Sequence, residues 1–389
     1  MKLLIALLCC LKPTLAQDTS YADGEMRIRT AYVEFRQQGL VHKSIAEIQV
    51  EIGDGNLLLL TPDGQLHTLE KKDIISVEPT EEVMIPLTSE QIYEQLRAEL
   101  PANFDIYKTR HFLLVHNTTK IYAEWVGRLF EDLYRRFYNY WGNARGEELA
   151  EPRFPLVALV FSDKASYLRF AQDEIGQAAQ SMIGYYNLKT NRIITYDMTG
   201  VDGLVPPGRR VSSSQVITQI LRQPQAERTV STIIHEAVHQ LAYNSGLQVR
   251  LADTPTCVSE GMAMFFEAPD RNSRVGWGAL GKVNYYNLNL FLKNLPSRKP
   301  NSLAELIGDD TQFQSASTAG IAYPESWALT YFLIKVHREK YVSYLAELSE
   351  LVPLSELSPR ERMEMFSKHF GDVQELERNF LKYVQYRVH

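Results

Sequence analysis

Residues 232–241 read TIIHEAVHQL, and this stretch decides both the local fold and the chemistry to expect. On a helix, residues four apart lie on one face, one turn above each other. His235 and His239 therefore point the same way, near enough for both imidazoles to ligate one metal ion. Glu236, between them, is placed to take a proton from a water held by that ion. The segment offers two of the three protein ligands of a catalytic zinc, with a general base beside them. The spacing predicts a helix over 226–244, stopped by Gly246. The same four-residue spacing also arises by chance on buried helices, so its weight depends on a third ligand elsewhere in the chain.

Residues 255–267 read PTCVSEGMAMFFE. Glu260 opens a helix expected over 258–267. Gly261 and Ala263 are small enough to let that helix approach another closely. Together the two segments resemble the gluzincin superfamily of zinc metallopeptidases, and within it an exported bacterial family of the peptidase-MA-like group. Gluzincins carry His-Glu-x-x-His on one helix and a Glu ligand on the next, often in an aromatic-x-Ser-Glu-Gly-x-Ala context. The matching residues are Val258, Ser259, Glu260, Gly261, Met262 and Ala263; where that context often has Trp, this chain has Cys257.

The resemblance implies one Zn²⁺ per chain, held by His235, His239 and Glu260, with Glu236 as general base. Glu267, two turns further on, is the alternative third ligand. No histidine follows His239 through Ser245, so the three-histidine pattern is excluded. The resemblance further implies an oxyanion donor from the helical half. Tyr323, opening YPESWALTYFL at 323–333, is the first candidate and Tyr331 the second. It also implies an edge strand along the cleft that pairs with an extended peptide, here Gly184, Tyr185 and Tyr186 or the run 192–196. It covers about residues 100–389, with its motifs concentrated at 232–267.

The whole chain is consistent with an exported protein. Its 389 residues are 45% hydrophobic and 23% charged, which is globular composition with length for more than one domain. Lys2, an apolar run at 3–11 and Thr14-Leu15-Ala16 read as a signal peptide over 1–16, the run being too short to span a bilayer. No later stretch is apolar enough for a membrane helix. Loss of Lys2 and Lys12 takes the formal charge from −6 to −8, which leaves no basic footprint for nucleic acid. Cys257 is then the one remaining cysteine, so no intrachain disulfide forms. These features point to a periplasmic, cell-envelope or extracellular location, and none signals an oligomeric state.

The expected fold class is α+β: a small SH3-like β barrel or sheet at 24–86, then a two-lobed peptidase unit. An α/β sheet lobe at 87–245 would end in the metal-motif helix, and a helical lobe would fill 246–389. Strands are expected at 27–35, 45–52, 57–61, 66–69 and 74–77 in the first part, with Asp54-Gly55 and Pro62-Asp63-Gly64 as turns. In the second part they are expected at 111–115, 156–161, 184–187 and 192–196, with a long amphipathic helix at 121–141. Pro206-Pro207-Gly208 marks a loop. Later helices are expected at 283–294, 324–338, 341–350, 358–369 and 373–386.

Several features carry less. The G-x-G-x-x-G run at 276–281 lacks a preceding strand and so the βαβ context of a nucleotide site. His111 and His116 read as structural, and Cys257 has no visible catalytic partner. Asp253 and Asn244 are candidate outer acceptors for the imidazoles. The leading expectation is a metallopeptidase acting on a peptide or protein. The rivals are a non-catalytic zinc-containing binding or scaffold protein, and a zinc amidase acting on a non-protein amide.

Overall fold

The structure, a computed structural model, describes residues 29–37, 39–53, 55–200, 213–221, 223–268 and 281–388. The expected leader at 1–16, Asp54 of the first turn, the loop at 206–208 and all but Gly281 of the glycine run lie outside the described residues. Two sheets and a large set of helices make the α+β class expected from the sequence.

The first sheet holds β1 (Arg29–Gln37), β2 (Leu40–Ile52), β3 (Asn56–Leu60), β4 (Leu66–Leu69) and β5 (Ile74–Pro79), all antiparallel in the order β4-β3-β2-β1-β5. Of the barrel and sheet forms the sequence allowed, it is a sheet, with β4 and β5 at its edges. Successive residues of β3 face opposite ways. Leu57 and Leu59 join one core with Val33 and Phe35, while Leu58 and Leu60 join another with Leu66, Met84 and Phe154. A register shift between Ile48 and Val50 turns β2 over, so Ala46 and Ile48 serve the first core and Val50 and Ile52 the second. β2 begins earlier than expected, because Leu40 and Val41 pair with β1 although both are exposed.

The second sheet is mixed. After α1 (Ser89–Glu99) come β6 (Asp105–Lys108), β7 (Phe112–His116), α2 (Lys120–Arg145), β8 (Leu156–Phe161), α3 (Lys164–Ile175), β9 (Gly184–Asn187) and β10 (Arg192–Tyr196). The order is β6-β7-β8-β10-β9, with β7, β8 and β10 parallel and the two edges antiparallel. Helices cover both faces. Leu156, Ala158 and Val160 of β8 pack toward α2, whereas Val157, Leu159 and Phe161 pack toward α1 and α3. Two-sided burial explains why β8 reads as an unbroken apolar run.

Beyond the sheet the chain is helical: α4 (Ser214–Leu221), α5 (Pro224–Asn244), α6 (Thr256–Phe266), α7 (Tyr285–Asn294), α8 (Ser302–Gly308), α9 (Ala316–Val336), α10 (Arg338–Leu348), α11 (Pro359–Phe370) and α12 (Val373–Arg387). β6, α4 and α8 were not expected, each being short. The start of α9 is a correction: Pro324 does not begin the helix but lies inside it. Ser315 caps the true start by accepting from Thr318 N. Proline removes the donor for the carbonyl four residues back. That carbonyl, Gly320 O, is met by Asn294 Nδ2 at 3.3 Å. Tyr323 is therefore mid-helix.

Candidate metal centre

Helix α5 carries the first two candidate ligands and is fixed to the sheet. Gln240, next to His239, donates through Nε2 to Val157 O at 3.0 Å and Asn191 O at 2.9 Å. Asn244, one turn on, exchanges hydrogen bonds with Asn191 at 2.8 and 3.0 Å. Gly246, at φ 77°, turns the chain out of the helix as expected. The chain returns as α6, which starts at Thr256, earlier than expected, so Glu260 sits one turn inside it. Gly261 lets α6 cross α9: a Cβ there would lie 2.1 Å from Thr330 Oγ1 and 2.6 Å from Ser326 O. The serine-glutamate-glycine run thus combines a polar contact, a carboxylate and a close helix crossing.

The structure brings His235, His239 and Glu260 together, all buried, with one donor atom from each within 4.8 Å of the others. Among the described residues these three form the one group with metal-ligand spacing. His235 Nε2 lies 3.0 Å from Glu260 Oε2, His239 Nε2 lies 3.4 Å from Glu260 Oε1, and the two Nε2 atoms are 3.1 Å apart.

The opposite ring nitrogens face outward partners. His235 Nδ1 meets Glu267 Oε2 at 3.0 Å, and Glu267 Oε1 accepts from Asn284 Nδ2 at 2.9 Å and Asn287 Nδ2 at 3.4 Å. His239 Nδ1 meets Ser259 Oγ at 3.4 Å, whose own hydrogen goes to Gln248 Oε1 at 3.2 Å. Each Nδ1 is thereby a donor, which leaves both Nε2 lone pairs converging with the Glu260 carboxylate. A proton on His235 Nε2 satisfies that geometry, and a metal ion displaces such a proton on binding. The residues fit a metal, and two nitrogens with one oxygen are a donor set that suits a divalent transition ion.

The electrostatics follow from burial and pairing. Burial alone would disfavour charge on His235, but its bonds to Glu260 and Glu267 raise its pKa well above the usual imidazole range. Burial would raise Glu260, yet the charges and bonds of His239 and His235 prevail and hold it at about 2. Glu236 is raised by burial, against the opposing pull of His235 and His239.

Glu236 is buried, and its two oxygens differ. Oε2 accepts from the Tyr186 backbone N–H at 2.8 Å. Oε1 has no hydrogen-bond partner among the described residues. Tyr186 belongs to the edge strand β9, so its amide points away from β10 and toward α5. The Tyr186 ring packs beside Tyr243 of α5. Tyr185 faces the other side of the sheet and donates its hydroxyl to Glu174 at 2.7 Å. Gly184 permits close strand pairing, since a Cβ there would lie 2.8 Å from Ile194 O.

Other expected residues find different places. Glu267, the alternative ligand, is the outer partner of His235. Asp253 is bonded to Arg362 and to Leu357 N, each at 2.8 Å, and Asn244 to the sheet. The outer acceptors are therefore Glu267 and Ser259. Tyr323 is buried edge-on to Phe313, one turn before Ser326, whose carbonyl abuts Gly261. Tyr331 packs with Trp327 and Phe265, under the Lys335 ammonium. His111 pairs with Glu131 and stacks on Tyr134, and His116 Nδ1 bonds Thr118 O, both structural as read from the sequence. Cys257 is buried and unpaired, its thiol pushed up beyond ordinary titration by burial.

Fold and site together define an α+β protein with a buried His-His-Glu group able to hold a metal ion. Residues 229–355 match the model of a family described as "Protein of unknown function (DUF1570)". The match covers less than half of the chain but includes the three candidate ligands, Glu236, Glu267 and Tyr323. None of the curated proteins matches this chain.

Proposed function

We propose that this chain is an exported zinc metallopeptidase of the gluzincin type, hydrolysing peptide bonds in a peptide or protein. The observation that supports it most is Glu236 beside the candidate ligands, with Oε2 pinned by Tyr186 and Oε1 buried without a partner. A purely structural metal site has no use for a buried carboxylate in that position. His235, His239 and Glu260 are the proposed ligands of a single zinc ion. Zinc in such a site lowers the pKa of water and polarises a carbonyl oxygen.

The chain's own residues would do the rest. Glu236 Oε1 accepts the proton of the attacking water and returns it to the leaving amine. The Tyr186 amide keeps the carboxylate facing one way through both transfers. Burial raises the pKa of Glu236, which suits a group that must both take and give a proton near neutral pH. Glu267 and Ser259 hold the imidazoles in the tautomer that ligates. Tyr323 is the proposed donor to the oxyanion. The outer edge of β9 at 184–186 is the proposed pairing site for an extended substrate, with part of that edge already used by Glu236.

The test is cleavage of a peptide library by the purified chain, with and without a chelator. Chelator-sensitive cleavage is expected, and Glu260→Ala should lose metal as well as activity. Full metal retention in Glu260→Ala would sink the ligand assignment. Metal binding without cleavage of any peptide would favour the binding-protein rival, and cleavage confined to non-protein amides the amidase.

A further inference from the structure

The first sheet contributes no ligand, yet it holds the strand that touches Glu236. Arg250 lies in the loop after α5, and its Nη1 donates to two carbonyls at once: Gly64 O at 2.9 Å and Leu188 O at 3.1 Å. Gly64 belongs to the turn between β3 and β4, whereas Leu188 belongs to the turn between β9 and β10. Beside this bridge, Leu66 N of β4 donates to Lys189 O at 2.7 Å. The edge of the first sheet is thus bonded to the tip of the β9–β10 hairpin, and one guanidinium bolts both to the loop leaving the metal-motif helix.

The same sheet touches both halves of the rest of the molecule. Its second core packs Leu58, Leu60 and Leu66 against Phe154 on the sheet side and against Leu251, Val352 and Leu354 on the helical side. Glu47 of β2 receives a forked bond from Arg153, one arm at 2.7 Å. Gly64 lies against the Phe154 side chain: a Cβ there would lie 3.0 Å from Phe154 Cγ, at a φ of 79° that also favours glycine.

β9 needs such support. It is an edge strand of four residues, paired on one side only. The hairpin is further held by Asn187 on Glu174 of α3 and by Asn191 on Asn244 of α5. The outward carbonyls at 188 and 189 are held by Arg250 and Leu66. Leu188 is two residues from Tyr186, a span of at most ~7 Å of chain, so slack at the turn is felt at the amide that fixes Glu236.

We infer that Arg250 is a positioning residue, and that the first sheet acts through it and through the Leu66–Lys189 bond to hold the β9–β10 hairpin so that the Tyr186 amide orients Glu236. This rests on the reading of Glu236 as the proton-transfer group. It turns an N-terminal domain without site residues of its own into part of the site's frame.

The experiment is hydrogen–deuterium exchange of the full chain with zinc present, resolved at the Tyr186 amide, for wild type, Arg250→Ala, Arg250→Lys and Gly64→Ala. Zinc stoichiometry and steady-state kinetics are measured alongside. Losing a charge-assisted bond at the turn should speed Tyr186 exchange by about tenfold or more in Arg250→Ala. Zinc content and the protection of α6 should stay as in wild type. Arg250→Lys, which keeps a donor for both carbonyls, should restore most of the protection, and Gly64→Ala should reproduce the loss. Where cleavage is observed, kcat should fall while KM holds.

Unchanged Tyr186 exchange in a folded Arg250→Ala protein overturns the inference. So does a loss of protection spread evenly through α5 and α6 with loss of zinc, which would make Arg250 a general prop. If Arg250→Ala does not fold, Gly64→Ala decides on the same readout. Absence of cleavage by wild type counts against the peptidase reading alone, because the exchange measurement still decides the role of Arg250.

Discussion

The backbone amide of Tyr186 donates to Glu236 Oε2 at 2.8 Å, joining the edge strand of the mixed sheet to the residue between the two histidines. One carboxylate oxygen is thereby fixed and the other is left buried without a partner among the described residues. An unpaired buried acceptor costs roughly 1–3 kcal/mol. In the proposed mechanism that cost maintains an oxygen ready to accept a proton.

The outer acceptor of His235 gives the first prediction. Glu267 bonds Nδ1 at 3.0 Å and is itself held by Asn284. Glu267→Ala should weaken metal binding by about 10–100-fold, as loss of a carboxylate behind a ligating imidazole commonly does. Glu260→Ala should weaken it more, because it removes a ligand. Competition with a chromophoric chelator reads both, and equal affinities for Glu267→Ala and wild type would remove Glu267 from the site.

Gly261 gives the second. A methyl group there meets Thr330 Oγ1 at 2.1 Å and Ser326 O at 2.6 Å, and a backbone carbonyl cannot be swung aside. Gly261→Ala should cost about 1–3 kcal/mol through forced separation of α6 from α9. Metal affinity should fall with it, since Glu260 is the preceding residue. Thermal unfolding and chelator competition should move together; a lowered melting temperature with unchanged affinity would show that α6 carries Glu260 independently of α9.

The third concerns pH in the metal-free chain. Glu260 is depressed from 4.5 to about 2, so its stabilising contribution is present above the ordinary carboxylate range and is lost as pH falls from about 4.5 toward 2. His235 is raised above 6.5, so its contribution is present below that value and is lost as pH climbs through its folded pKa. The metal-free protein should therefore draw most from this pair between about pH 4.5 and 6.5. Metal binding should reverse the trend above pH 6.5 instead, because the metal displaces the proton on His235 and so binds more tightly as pH rises. Melting temperature against pH, with and without zinc, measures this. A pair contribution that grows above pH 7 in the metal-free chain, judged against Glu260→Gln, would contradict it.

Much of this frame is legible in the sequence because local chemistry and tertiary role agree. β8 has the expected bounds since it is buried on both faces and reads as a closed apolar run. His235 and His239 share a face because helical spacing alone requires it. Glu260 comes from a resemblance, and the three-dimensional grouping bears out its place beside the histidines. The features that escape a sequence reading have nonlocal causes. The start of α9 is one, because Asn294, on another helix, satisfies the carbonyl that Pro324 orphans. Glu267 reads as a spare ligand because only the ring orientation of His235 shows which nitrogen it serves. The Tyr186 amide and the Arg250 bridge involve backbone atoms, which leave no mark in residue types.

The most direct test of the proposed chemistry compares wild type with Glu236→Gln for zinc bound per chain and for peptide cleavage. Glutamine keeps the shape and the acceptor for the Tyr186 amide but cannot take a proton. About one zinc is expected in both proteins, with a fall in kcat of roughly 10²–10⁴-fold in the variant. Cleavage by Glu236→Gln at the wild-type rate would contradict the assignment of Glu236, and with it the central claim.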